Sequence, residues 1–143
     1  MKIRSPRTLL FILLLLFGAP VVSEEIVIIV SPDNTESLEI EDVARIYLGK
    51  RSRFPGGGNV IPLDINPGDP AYGAFALRVL KKTPTQLRAY WAKRIFTGKG
   101  KPPRVVTNAQ EMLQLVQGNS QFLGYAGREH LNDSVRQILV IAP

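Results

Sequence analysis

The chain has 143 residues, with 18 Lys and Arg against 12 Asp and Glu, a formal charge of +6, no Cys and one His. This composition excludes a disulfide framework, the usual Cys- and His-based zinc sites and a cysteine nucleophile, and leaves only His130 for any Ser-His-Asp arrangement.

Lys2, Arg4 and Arg7 precede an unbroken apolar run from Leu9 to Phe17, and Gly18, Ala19, Pro20 and Ser23 follow it. Basic start, short apolar stretch and small-residue exit predict a signal peptide over residues 1–23, cut near Ser23, and a periplasmic or secreted domain over 24–143. The alternative is an uncleaved anchor, but a membrane-spanning helix needs about 20 apolar residues, and Gly18 and Pro20 interrupt the run first. No stable membrane insertion is therefore expected after cleavage. Without a cysteine, a lipid-modified N-terminal cysteine is excluded as well. Loss of the leader lowers the formal charge from +6 to about +3. A domain of this size buries about two thirds of its unfolded surface, enough for one core. A mildly basic balance favours anionic partners such as phosphate-like solutes, acidic proteins or lipid headgroups, with ordinary solubility as the alternative.

Glu25 to Val30 is a β-branched run without polar alternation, stopped by Ser31-Pro32-Asp33-Asn34, as expected of a strand buried on both faces. Ile40, Val43, Ala44, Tyr47 and Leu48 then mark one helical face, with acidic residues before it and Gly49 behind. The Pro55-Gly56-Gly57-Gly58 connection leads to a second strand, Val60 to Leu63, and a loop, Asp64 to Gly68. Asp69-Pro70 starts a helix with stripe residues Tyr72, Phe75, Ala76, Val79 and Leu80. Thr83-Pro84 starts another, in which Leu87, Trp91 and Ile95 stack until Gly98. A strand at Arg104 to Thr107, a helix capped by Asn108 and closed by Gly118, and strands at Phe122 to Ala126 and Ile138 to Ile141 complete the chain. Alternating strands and helices predict a single three-layer α/β lobe, with a mostly parallel or mixed sheet of about five strands flanked by helices.

Chemistry-bearing residues are sparse. His130 stands beside Glu129 with no Gly-x-Ser-x-Gly turn anywhere, so an exposed loop histidine is expected. Gly98-Lys99-Gly100-Lys101 follows a helix, precedes a strand and lacks the magnesium-binding hydroxyl of a phosphate loop; Lys99, Lys101 and Arg104 are instead candidate contacts for an anion or a partner surface. Lys50-Arg51-Ser52-Arg53 beside Phe54 suggests nucleic acid, which export argues against. Arg88, Lys93 and Arg94 are expected on the solvated side of their helix. Two loops after presumed central strands are the better ligand candidates, contributing Ser31 and Asn34 from the first, and Asn66, Gly68 and Tyr72 from the second. The second adjoins a helix N-terminus, a ready anion site, unless Asp69 caps the helix itself.

Ile26 to Asn34, Leu38 to Lys50 ending Ala-Arg-Ile-Tyr-Leu-Gly-Lys, Val60 to Asp64, Tyr90 to Gly98 and Phe122 to Ala126 together resemble the phosphate-type periplasmic solute-binding proteins of ABC transporters, in the form of small one-lobe relatives. The resemblance implies a periplasmic-binding-protein-like lobe, where full-length relatives hold ligand between two. It also implies an anion loop after the second strand, carrying an arginine and a Ser-Gly-Thr run. Here Asp64-Ile65-Asn66-Pro67-Gly68-Asp69-Pro70-Ala71-Tyr72 stands in that place, without the arginine or either hydroxyl and with two carboxylates. The expected function is a non-enzymatic, cofactor-free, solute-binding-like domain for phosphate or another small anion, linked to an envelope transporter or sensor. The alternative is an interaction module that kept the lobe, lost the anion loop and presents its basic loops or the region of Trp91 to an envelope protein.

Overall fold

The computed structural model describes residues 24–143; the expected signal segment, 1–23, lies outside the described residues. The elements are β1 (Ile26–Val30), α1 (Ile40–Tyr47), β2 (Ile61–Ile65), α2 (Pro70–Arg78), α3 (Pro84–Phe96), β3 (Arg104–Val106), α4 (Ala109–Gly118), β4 (Phe122–Gly127), a single 3-10 turn at Arg128–His130, and β5 (Arg136–Ile141). They build the expected mixed five-stranded sheet, in the order β3-β2-β4-β1-β5. No helix among the described residues is long and apolar enough to cross a membrane.

The helix starts follow from local chemistry. Asp69 accepts a hydrogen bond from the Ala71 N–H ahead of Pro70, while Thr83 and Gln86 form a reciprocal capping box ahead of Pro84. The Asn108 side chain accepts from the Glu111 N–H at 2.9 Å. Alternation along β4 then assigns the helices to two layers. A side chain at Gly124 would point at Met112 and Val116 of α4, whereas the next residue, Tyr125, meets Tyr47 of α1 and Phe75 of α2. Phe75 is stacked on Tyr125, with centroids 3.9 Å apart, and Tyr47 approaches Phe75 edge-on at 4.7 Å. The Tyr47 hydroxyl donates to the carbonyls of Leu63 (2.8 Å) and Leu123 (3.0 Å), tying α1 to the two parallel strands at the centre of the sheet.

One strand boundary departs from expectation, and one strand supplies the antiparallel part of the mixed sheet. Strand β2 extends through Asp64 and Ile65, which the sequence places in a loop, because both pair in register with Val105 and Val106 of β3. Strand β1 alone runs against the other four, antiparallel to both β4 and β5, while β2 is parallel to β3 and β4. The Ser31 to Asn34 turn therefore leaves the sheet at the end where β2 and β4 begin, and Asn34 Nδ2 donates to the Ser120 carbonyl there (2.8 Å).

Candidate functional site

In open α/β sheets, solutes settle beyond the strand C-termini. At that end of β2, the Asn66 side chain accepts from the Gly68 N–H (2.9 Å) and the Asp69 carboxylate from the Ala71 N–H (2.9 Å). The amide donors that would surround an anion at the start of α2 are thus taken by the chain's own oxygens, and Asp69 adds a negative charge where an anion would sit. Tyr72 folds inward and is nearly buried. Ser31 and Asn34, at the opposite end of the sheet, are buried turn-formers. Ser31 Oγ accepts from the Asp33 N–H (3.2 Å), and Asn34 Oδ1 from the Glu36 N–H (2.8 Å). The five loop residues singled out in the sequence consequently do not assemble into one site; the reversed direction of β1 separates them.

What the fold does assemble is a pair of recesses along the β3 edge of the sheet, beneath α3. The first, about 330 Å³, opens beside the end of β2, where Asp64, Tyr72 and Arg88 meet an apolar wall of Leu87, Trp91 and Val105. Asp64 is 9% exposed; the Tyr125 hydroxyl donates to its Oδ1, which also accepts from the Ile65 N–H (3.0 Å). Burial raises the Asp64 pKa, and the Tyr125 hydrogen bond works against that rise. Burial and then the Asp64 charge raise the Tyr72 hydroxyl, with Arg88 opposing. The second recess, about 510 Å³, lies across Trp91, Pro102 and Pro103 from the first and gathers Arg51, Lys101 and Arg104. Of the three basic contacts expected from the sequence, it includes Lys101 and Arg104, while Lys99 stays on the exposed outer turn.

Arg94 departs from the solvated position expected for it. Its guanidinium lies over the rings of Tyr90 and Trp91, and Nη2 donates to the carbonyls of Gly49 (3.2 Å) and Lys99 (2.9 Å). It pins the Gly98 to Pro103 strap against the end of α1. Ile95, expected to stack inward, is 55% exposed, and Phe96 is 91% exposed. Sequence periodicity missed Asp64 and Arg51 as recess residues, since neither is apolar nor part of a spacing motif.

A third cluster is at the other end of β1. Glu24, Glu129 and His130 offer ligand atoms within 4.8 Å of one another, and His130 Nε2 lies 3.3 Å from Glu129. Linear spacing conceals this meeting, because Glu24 precedes β1 and the other two follow β4. Burial, together with the hydrogen bond and charge of Glu129, raises the Glu24 pKa to about 7, while the same hydrogen bond lowers Glu129. Above the ordinary carboxylate range the folded state keeps a proton that the unfolded chain has released. The contribution of protonated Glu24 is therefore present below the ordinary carboxylate range and is lost as pH rises through about 7, whereas the lowered Glu129 loses its own contribution only as pH falls below that range. Urea midpoints are expected to fall between about pH 5 and pH 8, and Glu24→Gln to reduce that fall. An unchanged profile in Glu24→Gln would refute the shared proton. An uncharged extension should precede residue 24 in both proteins, because a free α-amino group there would add its own charge.

No protein-family model and no curated protein matches the sequence. Solved structures do resemble the fold. A putative phosphate ABC transporter substrate-binding protein with bound phosphate from Clostridium perfringens superimposes with a TM-score of 0.62 at 19% identity, covering 80% of this chain and 44% of that one. PstS from Borrelia burgdorferi gives 0.60 at 14% identity, covering 80% and 46%. An ABC-type phosphate transport receptor from Vibrio cholerae gives 0.55 at 17%, covering 80% and 45%. The chain spans less than half the length of these proteins. It has the α/β fold of part of a phosphate-type periplasmic binding protein, as the sequence motifs imply.

Proposed function

We propose that residues 24–143 act, after export, as a non-enzymatic solute-binding lobe for a small anion, held in the recess beside Asp64, Tyr72 and Arg88. The carrying observation is the position of that recess, next to the C-terminal end of β2 in a sheet that resembles phosphate-binding proteins. Its volume of about 330 Å³ suits a small molecule, Arg88 brings a cation, and the apolar wall favours an organic anion over bare phosphate. The occupied amides at the start of α2 argue against phosphate being held there. The signal-like residues 1–23 support export, and the likeness to a phosphate transport receptor and a phosphate-bound substrate-binding protein supports binding rather than catalysis.

Thermal unfolding with inorganic phosphate, sulfate and a panel of small carboxylates tests the reading. A ligand at a hundredfold excess over its dissociation constant stabilises by about 2.7 kcal/mol, several degrees for a domain of this size. The expected result is a shift with an organic anion that Arg88→Ala removes. A shift with phosphate alone, abolished by Gly68→Asp and not by Arg88→Ala, would return the site to the α2 loop. No shift with any anion would favour the interaction module, a reading supported by the exposed Ile95, Phe96 and Val105 beside the recess.

A further inference from the structure

We infer that the larger recess, between the end of α1, the Gly98 to Pro103 strap and β3, is a second binding site, for an organic phosphate monoester or similar multivalent anion with a flat apolar body. The inference goes beyond the recess at Arg88 and rests on a different set of charges. Three cations, Arg51, Lys101 and Arg104, face no carboxylate in the lining, whereas the neighbouring recess balances Arg88 with Asp64. Lys101 and Arg104 form no salt bridge among the described residues, although the charge of Arg104 is also felt at Glu111. Arg51 is held at one guanidinium nitrogen by Asp42, 3.0 Å away, which fixes the side chain and leaves its other donors. A doubly charged head bearing several acceptor oxygens matches this cluster better than a monoanion does.

Apart from Ser52 and the Tyr47 hydroxyl, the other side chains lining the recess are apolar. Trp91, 7% exposed, and the Pro102-Pro103 pair form one wall, and the Tyr47 hydroxyl is already spent on two strand carbonyls. About 510 Å³ exceeds what inorganic phosphate fills and accommodates a phosphorylated aromatic or short alkyl group. The wall is also fixed in place. Gly49, at φ +70°, lies so close to Trp91 that an added Cβ would stand 3.0 Å from the indole, and Arg94 bonds both Gly49 and the strap. The ligand thus enters a largely formed recess and pays little for ordering.

Phenyl phosphate is the probe, titrated by calorimetry and by the emission of Trp91, the only tryptophan in the chain. The expected result is saturable binding with a change in Trp91 emission. Inorganic phosphate and phenol should each bind at least about tenfold more weakly, and added salt should weaken the complex. Lys101→Glu/Arg104→Glu should lower phenyl phosphate affinity by tenfold or more, while Lys93→Glu, on the exposed side of the same helix as Trp91, should leave it unchanged. Both replaced residues of the double variant are exposed, and an unaltered melting temperature would show that it folds. Failure of phenyl phosphate to bind the parent overturns the inference, as does binding that the double reversal leaves intact. A carboxylate shift removed by Arg88→Ala would still uphold the first recess in either case.

Discussion

Phe75→Ala is expected to destabilise the protein by about 3–5 kcal/mol, the largest effect of any single truncation considered, and to lower its melting temperature by about 10–20 °C. Phe75 is 1% exposed and stands between two tyrosines, stacked on Tyr125 and met edge-on by Tyr47. Its removal takes away a ring from water-free contact and leaves a cavity that neighbouring groups fill only in part. The tyrosines cannot simply collapse into the gap. Tyr47 is held to the Leu63 and Leu123 carbonyls, and the Tyr125 hydroxyl to Asp64. Water reaching that bond would compete for the buried carboxylate, adding to the loss. Since a domain of this kind has a total stability of about 5–15 kcal/mol, the variant is expected to be marginal at room temperature. Urea unfolding measures the effect, and Phe75→Leu should retain much of the lost stability. A Phe75→Ala midpoint within about 1 kcal/mol of the parent would mean that the aromatic cluster is not the centre of the core.

Gly124→Val should destabilise by about 1–3 kcal/mol despite the high strand propensity of valine. A Cβ at Gly124 would lie 2.6 Å from Met112 Sδ and 2.9 Å from Val116 Cγ2, closer than either atom tolerates. The missing side chain lets α4 settle directly on β4, so a branched residue must push the helix away or force Met112 out of its packing. Gly124→Ala should cost less, because the flexible Met112 can yield. Met112→Ala should recover part of the loss in Gly124→Val, giving a coupling that the separate changes do not predict. Equal urea midpoints for parent and Gly124→Val would refute the close approach.

The local signals in the sequence are reliable where they rest on nearest-neighbour chemistry. Asp69-Pro70, Thr83-Pro84 and Asn108 start helices because capping needs only a side-chain oxygen two or three residues from an unpaired amide. The run Ile26 to Val30 is wholly buried, as its lack of polar alternation requires. Such reading misplaces Asp64, because an acidic residue before Asn-Pro-Gly looks like a loop until β3 supplies pairing and Tyr125 a hydrogen bond. It misplaces Ile95 as well, since helical periodicity says which residues share a face but not how far that face extends over the sheet.

By itself, then, the sequence determined the α/β class, the order of the elements and the capped start of α2 that occupies the amides of an anion loop. All of these depend on residues within a few positions of one another. Only the tertiary structure decided that β1 runs against its neighbours, parting Ser31 and Asn34 from Asn66, Gly68 and Tyr72. It alone brought Arg51 to Lys101 and Arg104 across about fifty residues of chain. Strand direction and the meeting of distant charges arise from packing against the whole sheet, and no local propensity records them.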